Sequence, residues 1–215
     1  MFDLDGTLAD TSGDLIAAAN VCLAEIGVAL LDPVTDARTA LRGGRAMLRL
    51  GLGRAGPVDE DLVDRWYQPL LEAYGGALDV HTKMFPGAMA AVVRLTDAGY
   101  VVGVCTNKPE GLAQELLVRL GVRDAFGALV GADTLPVRKP DPEHFYETVR
   151  RAGGDARRGL LVGDTETDHL TARAAGVPSV LVSFGPEGAG ITRLGPDAVL
   201  DHYDGLDGIV ARLIG

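Results

Sequence analysis

Met1-Phe2-Asp3-Leu4-Asp5-Gly6-Thr7-Leu8-Ala9-Asp10 opens the chain and puts three carboxylates into its first ten positions. Phe2 and Leu4 are apolar and flank Asp3, so the start reads as a short buried strand that ends in acids. Three later stretches have related grammar. "VVGVCTNKP" (101–109) is an apolar run ending in Thr106, Asn107 and Lys108, and "LLVGDTETD" (160–168) is one ending in Asp164 and Asp168. "VRKPDP" (137–142) places Lys139 in the loop before a helix. Open parallel sheets bind ligands beyond the carboxyl ends of their strands, where strand order reverses. Strands ending in reactive side chains therefore point to a doubly wound α/β sheet with its site at that edge.

Organisation along the chain agrees. Strand-like runs occur at Phe2–Leu4, Tyr100–Cys105, Ala128–Val130, Leu160–Val162, Ser179–Val182 and, more weakly, Ala198–Leu200. From residue 85 onward they alternate with helical patterns, the signature of βαβ crossovers and a parallel sheet. Asp141 is a suitable N-cap with Pro142 in the first turn, and Gly121 and Gly176 fall at helix ends. Residues 12–82 read differently, as helices without a strand, and Pro69 should kink or split the last of them. The expected domains are a Rossmann-like, mostly parallel core of residues 1–11 and 83–215 and an all-helical cap of residues 12–82. Residues 185–196, rich in Gly and Pro, read as an irregular surface loop. A typical strand needs ~5–6 residues, and only Met1 and Phe2 precede Asp3. The sequence therefore carries the expectation that the native start, or that of the central strand, lies upstream.

The chain has 215 residues, 47% of them hydrophobic and 23% charged, enough for a sizeable core. A net charge of −10 disfavours nucleic acid and anionic membranes as partners. No apolar run approaches the ~20 residues of a membrane span, and no basic-then-apolar leader is visible. Cys22 and Cys105 lack metal-ligand spacing and suit a reducing, cytoplasmic setting. Monomer and homodimer are equally open.

If the runs at 1–4, 100–105 and 160–163 are neighbours, Asp3, Asp5, Asp164 and Asp168 meet Thr106, Lys108 and Lys139 in one crevice. Like charges ~4 Å apart repel by ~4 kcal/mol at an effective dielectric near 20, so such a cluster asks for a hard cation. Mg2+ takes one or two carboxylates, waters and a substrate phosphate oxygen. Asp3 can then be a nucleophile that forms an aspartyl-phosphate. Asp5, two residues on along an extended strand, shares its face and suits a general acid and then base. Thr106 and the backbone amides opening the next helix can hold phosphate oxygens, and Asn107 can bind substrate through its backbone amide alone. Lys139 would neutralise the transferring phosphoryl group; Lys108 reads equally as its partner in this and as a solvated loop lysine. Asp168 has a second reading: with Thr165 as N-cap it stands at the third helical position, where a carboxylate favours the helix dipole without catalysis. Asp10 reads as a turn or cap residue, and Asp133 has no assignable role.

Taken in order, Asp3-Leu4-Asp5-Gly6-Thr7-Leu8, Cys105-Thr106-Asn107-Lys108, Lys139-Pro140 and Gly163-Asp164-Thr165-Glu166-Thr167-Asp168 resemble the haloacid-dehalogenase-like phosphohydrolase superfamily, over essentially the whole chain. The resemblance implies Asp3 as nucleophile, Asp5 as acid/base and, through its carbonyl, metal ligand, and Thr106 and Lys139 as phosphate binders. It implies Asp164 as a metal ligand and Asp168 as an auxiliary metal group. It also implies a cap that closes to exclude water, with hinges near Ser12–Gly13 and Thr82–Lys83.

Substrate choice falls to the cap. Arg38, Arg42, Arg45 and Arg49 lie four, three and four apart, one helix face except that Gly43-Gly44 should break the helix. Arg38 and Arg49 read as solvated; Arg42 and Arg45, beside the break, read as donors to an anionic substrate. The stretch looks like the cap loop of phosphoglycolate phosphatases, although Leu41-Arg42-Gly43-Gly44 departs from their usual valine-glycine-any-glycine. A guanidinium gripping a carboxylate suits 2-phosphoglycolate or a similar small phosphate. A phosphosugar mutase of the same superfamily is the alternative. A dehalogenase needs no Asp5, a signalling receiver is shorter with its acceptor on a middle strand, and a silent phosphate-binding protein would be expected to lose Asp3 or Asp5.

Overall fold

The computed structural model describes residues 1–215. The chain separates into two compact units, one of Met1–Ala9 with Met84–Gly215 and one of Asp10–Lys83.

Strands β1 (Ala9–Asp10) and β2 (Lys83–Met84) are two residues each. In the first unit, strands β3 (Gly103–Cys105), β4 (Ala128–Val130), β5 (Leu161–Gly163), β6 (Ser179–Val182) and β7 (Ala198–Leu200) run parallel wherever they pair. Phe2 joins them, bridging Val104 on one side and Val162 on the other, both in parallel. Its N–H donates to the Gly103 carbonyl at 2.9 Å and its own carbonyl accepts from Cys105 at 2.8 Å. On the opposite flank the Asp3 N–H donates to Val162 and the Val162 N–H to Met1, each at 2.9 Å. The order is therefore β4, β3, Phe2, β5, β6, β7, and the winding reverses at the N-terminal segment. That reversal is the switch point of a doubly wound sheet, and Asp3 stands at its mouth. The expected first strand is shortened to a bridge. Leu4 already begins a turn, its carbonyl accepting from Thr7, Leu8 and Ala9, and Gly6 takes φ +80°, a conformation open to glycine.

Five α-helices accompany the sheet: α5 (Ala88–Asp97), α6 (Glu110–Arg119), α7 (Pro142–Ala152), α8 (Glu166–Ala175) and, at the end of the chain, α9 (Leu206–Ile214), which a 3-10 turn at Tyr203–Gly205 precedes. Helix α7 packs on β3 and β4 and helix α8 on β5 and β6. Cys105, Phe145, Val149, Leu161, Ala172 and Val177 form the buried layer between them. As expected, Asp141 caps α7 by accepting from Glu143 N, with Pro142 in the first turn, and Gly176 ends α8 in the left-handed region. The loop at 185–196 is more regular than its composition suggests, holding a 3-10 helix over Gly188–Leu194.

The second unit is helical: α1 (Ser12–Ile26), α2 (Ala37–Ala40), α3 (Gly44–Gly53) and α4 (Glu60–Gly76). Helix α1 packs on α2, α3 and α4, and Gly51 permits the close approach of α3, since a Cβ there would stand 2.5 Å from a Leu23 methyl. The break at Gly43-Gly44 is present, with Gly43 at φ +92°. Pro69 does not split α4, which runs through it. Buried Val63, Leu70 and Tyr74 hold both halves of that helix in one packed stripe, which outweighs a single missing backbone hydrogen bond.

The two ends of this helical unit are tied together. The buried Asp14 carboxylate accepts from His81 N at 2.9 Å, from Thr82 N at 2.8 Å and from Thr82 Oγ1 at 2.7 Å. Gly13 lets His81 lie against it, because a Cβ would come within 2.8 Å of the His81 Cβ. Ser12–Gly13 and Thr82–Lys83, near which the hinges are expected, lie at the two ends of the unit formed by residues 10–83. Nothing local along the chain marks the Asp14 contact, whose partners lie 67 and 68 residues from that carboxylate.

Candidate active site

At the carboxyl edge of the sheet, ligand oxygens of Asp3, Asp164 and Asp168 lie within 4.8 Å of one another. Each owes its place to a strand end. Asp3 follows the Phe2 bridge, while Asp164 follows β5 and is directly succeeded by α8. Thr165 caps that helix, accepting from Asp168 N, while Asp168 Oδ2 accepts from Thr165 N at 3.1 Å and Thr165 Oγ1 at 2.7 Å. The capping reading of Asp168 therefore holds. One oxygen caps the helix, and the other accepts from Lys139 Nζ at 2.6 Å.

Lys139 is 3% exposed and its ammonium also lies 3.1 Å from Asp3 Oδ1. Burial pushes this ammonium down, and the neighbouring Asp168 and Asp3 more than reverse that, so its pKa is raised overall. Asp3 Oδ1 accepts in addition from Leu4 N at 2.7 Å. Both contacts fall on Oδ1. Burial raises Asp3 to about 6, against the pull of Lys139 and with help from Asp168 and Asp5. Burial, then Asp168 and Asp3, raise Asp164 as well.

Asp164 Oδ1 accepts from the Thr7 hydroxyl at 2.8 Å, while Oδ2 is buried with no hydrogen-bond partner. An orphaned carboxylate oxygen in a cluster of acids is what an oxygen-seeking divalent cation completes. The charges agree: Asp3, Asp5, Asp164 and Asp168 exceed the two ammonium groups, Lys108 and Lys139, by two negative charges. The residues fit a hard cation. The carboxylates of Asp3, Asp164 and Asp168 could together hold one, and Asp168 is at the same time engaged by Lys139 and by the cap of α8.

Asp5 reaches the site by the turn at Leu4 rather than along an extended strand. Its carboxylate is held by Lys108 Nζ, at 3.0 and 3.3 Å from the two oxygens. Lys108 is therefore no solvated loop lysine. Thr106 is buried at the end of β3, its hydroxyl accepting from Lys108 N at 3.2 Å. The Asn107 side chain donates to the Lys139 carbonyl at 3.0 Å and so anchors the lysine loop, which accords with Asn107 offering substrate its backbone amide alone. Asp133, without a role in the sequence, accepts from Glu110 N at 2.7 Å at the start of α6, and Asp10 accepts from Ser12 N and Oγ as a turn residue.

Of the cap arginines, Arg45 pairs with Asp64 and lies 4.2 Å over the Tyr67 ring, and Arg49 is bidentate on Glu60. Arg42 is exposed. Two residues with site contacts escaped the sequence: Thr7, on Asp164, and Tyr203, whose hydroxyl donates to the Thr7 carbonyl at 2.7 Å. Thr7 stood within the opening motif, but Tyr203 lies 196 residues away and nothing local marked it.

Residues 1–182 match the family model for haloacid dehalogenase-like hydrolases. A phosphoglycolate phosphatase of Mesorhizobium japonicum is 40% identical over 207 residues, spanning 96% of this chain and 91% of that protein. One of Agrobacterium fabrum is 39% identical over 210 residues, spanning 96% and 89%. Among solved structures, a predicted phosphoglycolate phosphatase from Haemophilus somnus superposes with a TM-score of 0.84 at 25% identity, covering 97% of this chain and 95% of that one. The chain belongs to the haloacid dehalogenase-like hydrolase family. Within it the chain is phosphoglycolate-phosphatase-like, and it is a phosphatase.

Proposed function

We propose that the chain is a Mg2+-dependent phosphomonoester hydrolase acting on a small anionic metabolite, with 2-phosphoglycolate as the leading substrate. The observation that carries this reading is the buried nucleophile arrangement: Asp3 held through Oδ1 by Lys139, beside the unpartnered Oδ2 of Asp164. The substrate rests on the phosphoglycolate phosphatases that resemble the chain across nearly their whole length.

Asp3, Asp164 and the Asp5 carbonyl would hold the Mg2+, which when bound would offset the carboxylate charge and that of the substrate phosphate. Asp3 Oδ2 attacks phosphorus, the ester P–O bond breaks, and Asp5 donates a proton to the leaving oxygen. Asp5 then takes a proton from water as that water attacks the aspartyl-phosphate, releasing inorganic phosphate and restoring Asp3. Lys139 and the Thr106 hydroxyl supply donors to the phosphoryl oxygens. In the cap, Arg42 is the candidate donor to the substrate carboxylate. The expected partner is this metabolite alone, in a cytoplasmic setting.

Hydrolysis of a panel of small phosphomonoesters, with and without chelator, tests the reading. Activity should require Mg2+, vanish in Asp3→Asn and be highest on a carboxylated phosphoester. Wild-type turnover by Asp3→Asn would refute the nucleophile, and interconversion of phosphoglucose isomers without phosphate release would favour the mutase.

A further inference from the structure

We infer that Lys108 is a positioning residue for Asp5, and not a ligand of the substrate phosphate; this rests on the reading of Asp5 as the acid/base. The Lys108 ammonium is 3% exposed in its side chain, against 17% for Asp5, and straddles both Asp5 oxygens. A cation so placed fixes where the carboxyl lies and how it is turned, whereas one contact to a single oxygen would leave the group free to rotate.

The lysine itself is held at its backbone. Its N–H donates to the Thr106 hydroxyl at 3.2 Å, and its carbonyl accepts from Ala132 N at 2.9 Å. Next to Ala132, Gly131 lies so close to the start of α6 that a Cβ would stand 2.4 Å from the Glu110 backbone. The side chain thus springs from a point tied to the ends of both β3 and β4. The two lysines then divide the work: Lys139 holds Asp3, and Lys108 holds Asp5. Proton transfer needs heavy atoms within about 2.6–3.2 Å, so a carboxyl free to swing would lose rate while leaving phosphate binding intact.

Steady-state kinetics of Lys108→Met, Lys108→Arg, Asp5→Asn and Asp5→Asn/Lys108→Met test this in Mg2+, with inorganic phosphate as competitive inhibitor. Lys108→Met should lower kcat by about 100-fold, the low end of acid–base contributions, with KM and the phosphate inhibition constant within about threefold of wild type. The loss in kcat/KM should be larger for an alkyl phosphate than for a nitrophenyl phosphate, whose leaving group needs no proton. The double variant should match Asp5→Asn, since a residue acting through Asp5 adds nothing once Asp5 is gone. Lys108→Arg keeps the charge on a different fork and should recover part of kcat; it carries the test if Lys108→Met does not fold, through a reduced kcat at an unchanged phosphate inhibition constant. A rise in KM and in the phosphate inhibition constant together, or losses that add in the double variant, would overturn the inference and make Lys108 a phosphate ligand. A wild-type rate in Asp5→Asn would instead overturn the acid/base reading beneath it.

Discussion

The Thr7 hydroxyl donates to Oδ1 of Asp164 at 2.8 Å and leaves Oδ2 of that carboxylate buried and unpartnered. One oxygen is oriented by the protein and, in the proposed site, the other would meet the cation, an arrangement that would tune a metal ligand through its neighbour. Thr7→Val should therefore weaken Mg2+ binding by about 10-fold or more, read by calorimetric titration independently of turnover. Unchanged affinity would mean that Thr7 serves the turn only.

Asp3 is raised from 3.8 to about 6 by burial. Between those values the native metal-free protein keeps a proton that the unfolded chain has released. Stability from this group is thus fully present below pH 3.8 and lost as pH rises through about 6. Asp3→Asn, which cannot ionise, should melt higher than wild type in chelator at pH 7.5, and the difference should vanish near pH 4. Mg2+ should raise the wild-type melting temperature more at pH 7.5 than at pH 5, because ligands must be deprotonated. A pH-independent difference between the two proteins would contradict the raised value.

Gly163 ends β5 where a Cβ would come within 2.3 Å of Asp168. Gly163→Ala should push Asp168 away and release Lys139, lowering kcat by about 100-fold, the scale of a misplacement near 1 Å. Full activity in this variant would show that the Asp168–Lys139 contact is dispensable.

Asp14 gathers the two ends of the helical unit. Asp14→Ala leaves the buried Thr82 N–H and hydroxyl, and the His81 N–H, without an acceptor, a loss of about 2–4 kcal/mol. Denaturant unfolding should show it, with early proteolysis inside residues 10–83. Wild-type resistance would mean that water replaces the carboxylate.

Arg42 and Arg45 should separate. Arg45, paired with Asp64 and stacked on Tyr67, is built into its own unit, so Arg45→Ala should lower the melting temperature with a small effect on substrate choice. Arg42→Ala should raise KM for a carboxylated substrate by about 10-fold, as for a lost charge-assisted contact, and leave an aryl phosphate unaffected. Equal effects on both substrates would remove Arg42 from carboxylate recognition.

Strand-end runs, the Asp141-Pro142 and Thr165…Asp168 caps and the Gly43-Gly44 break were legible along the chain, because each rests on residues within a few positions of one another. So were the residue types of the reactive cluster, since four separate runs end in acids, a hydroxyl or an ammonium group. What pairs with what was not legible. That Lys108 serves Asp5 and Lys139 serves Asp3, that Asn107 holds a loop, that Asp14 ties position 14 to 82, and that Tyr203 supports Thr7 all depend on distances across the fold. No local pattern records such distances: hydrogen bonds and ion pairs act over about 3 Å of space, whatever the number of residues between the partners, and only the packed sheet brings those partners that close.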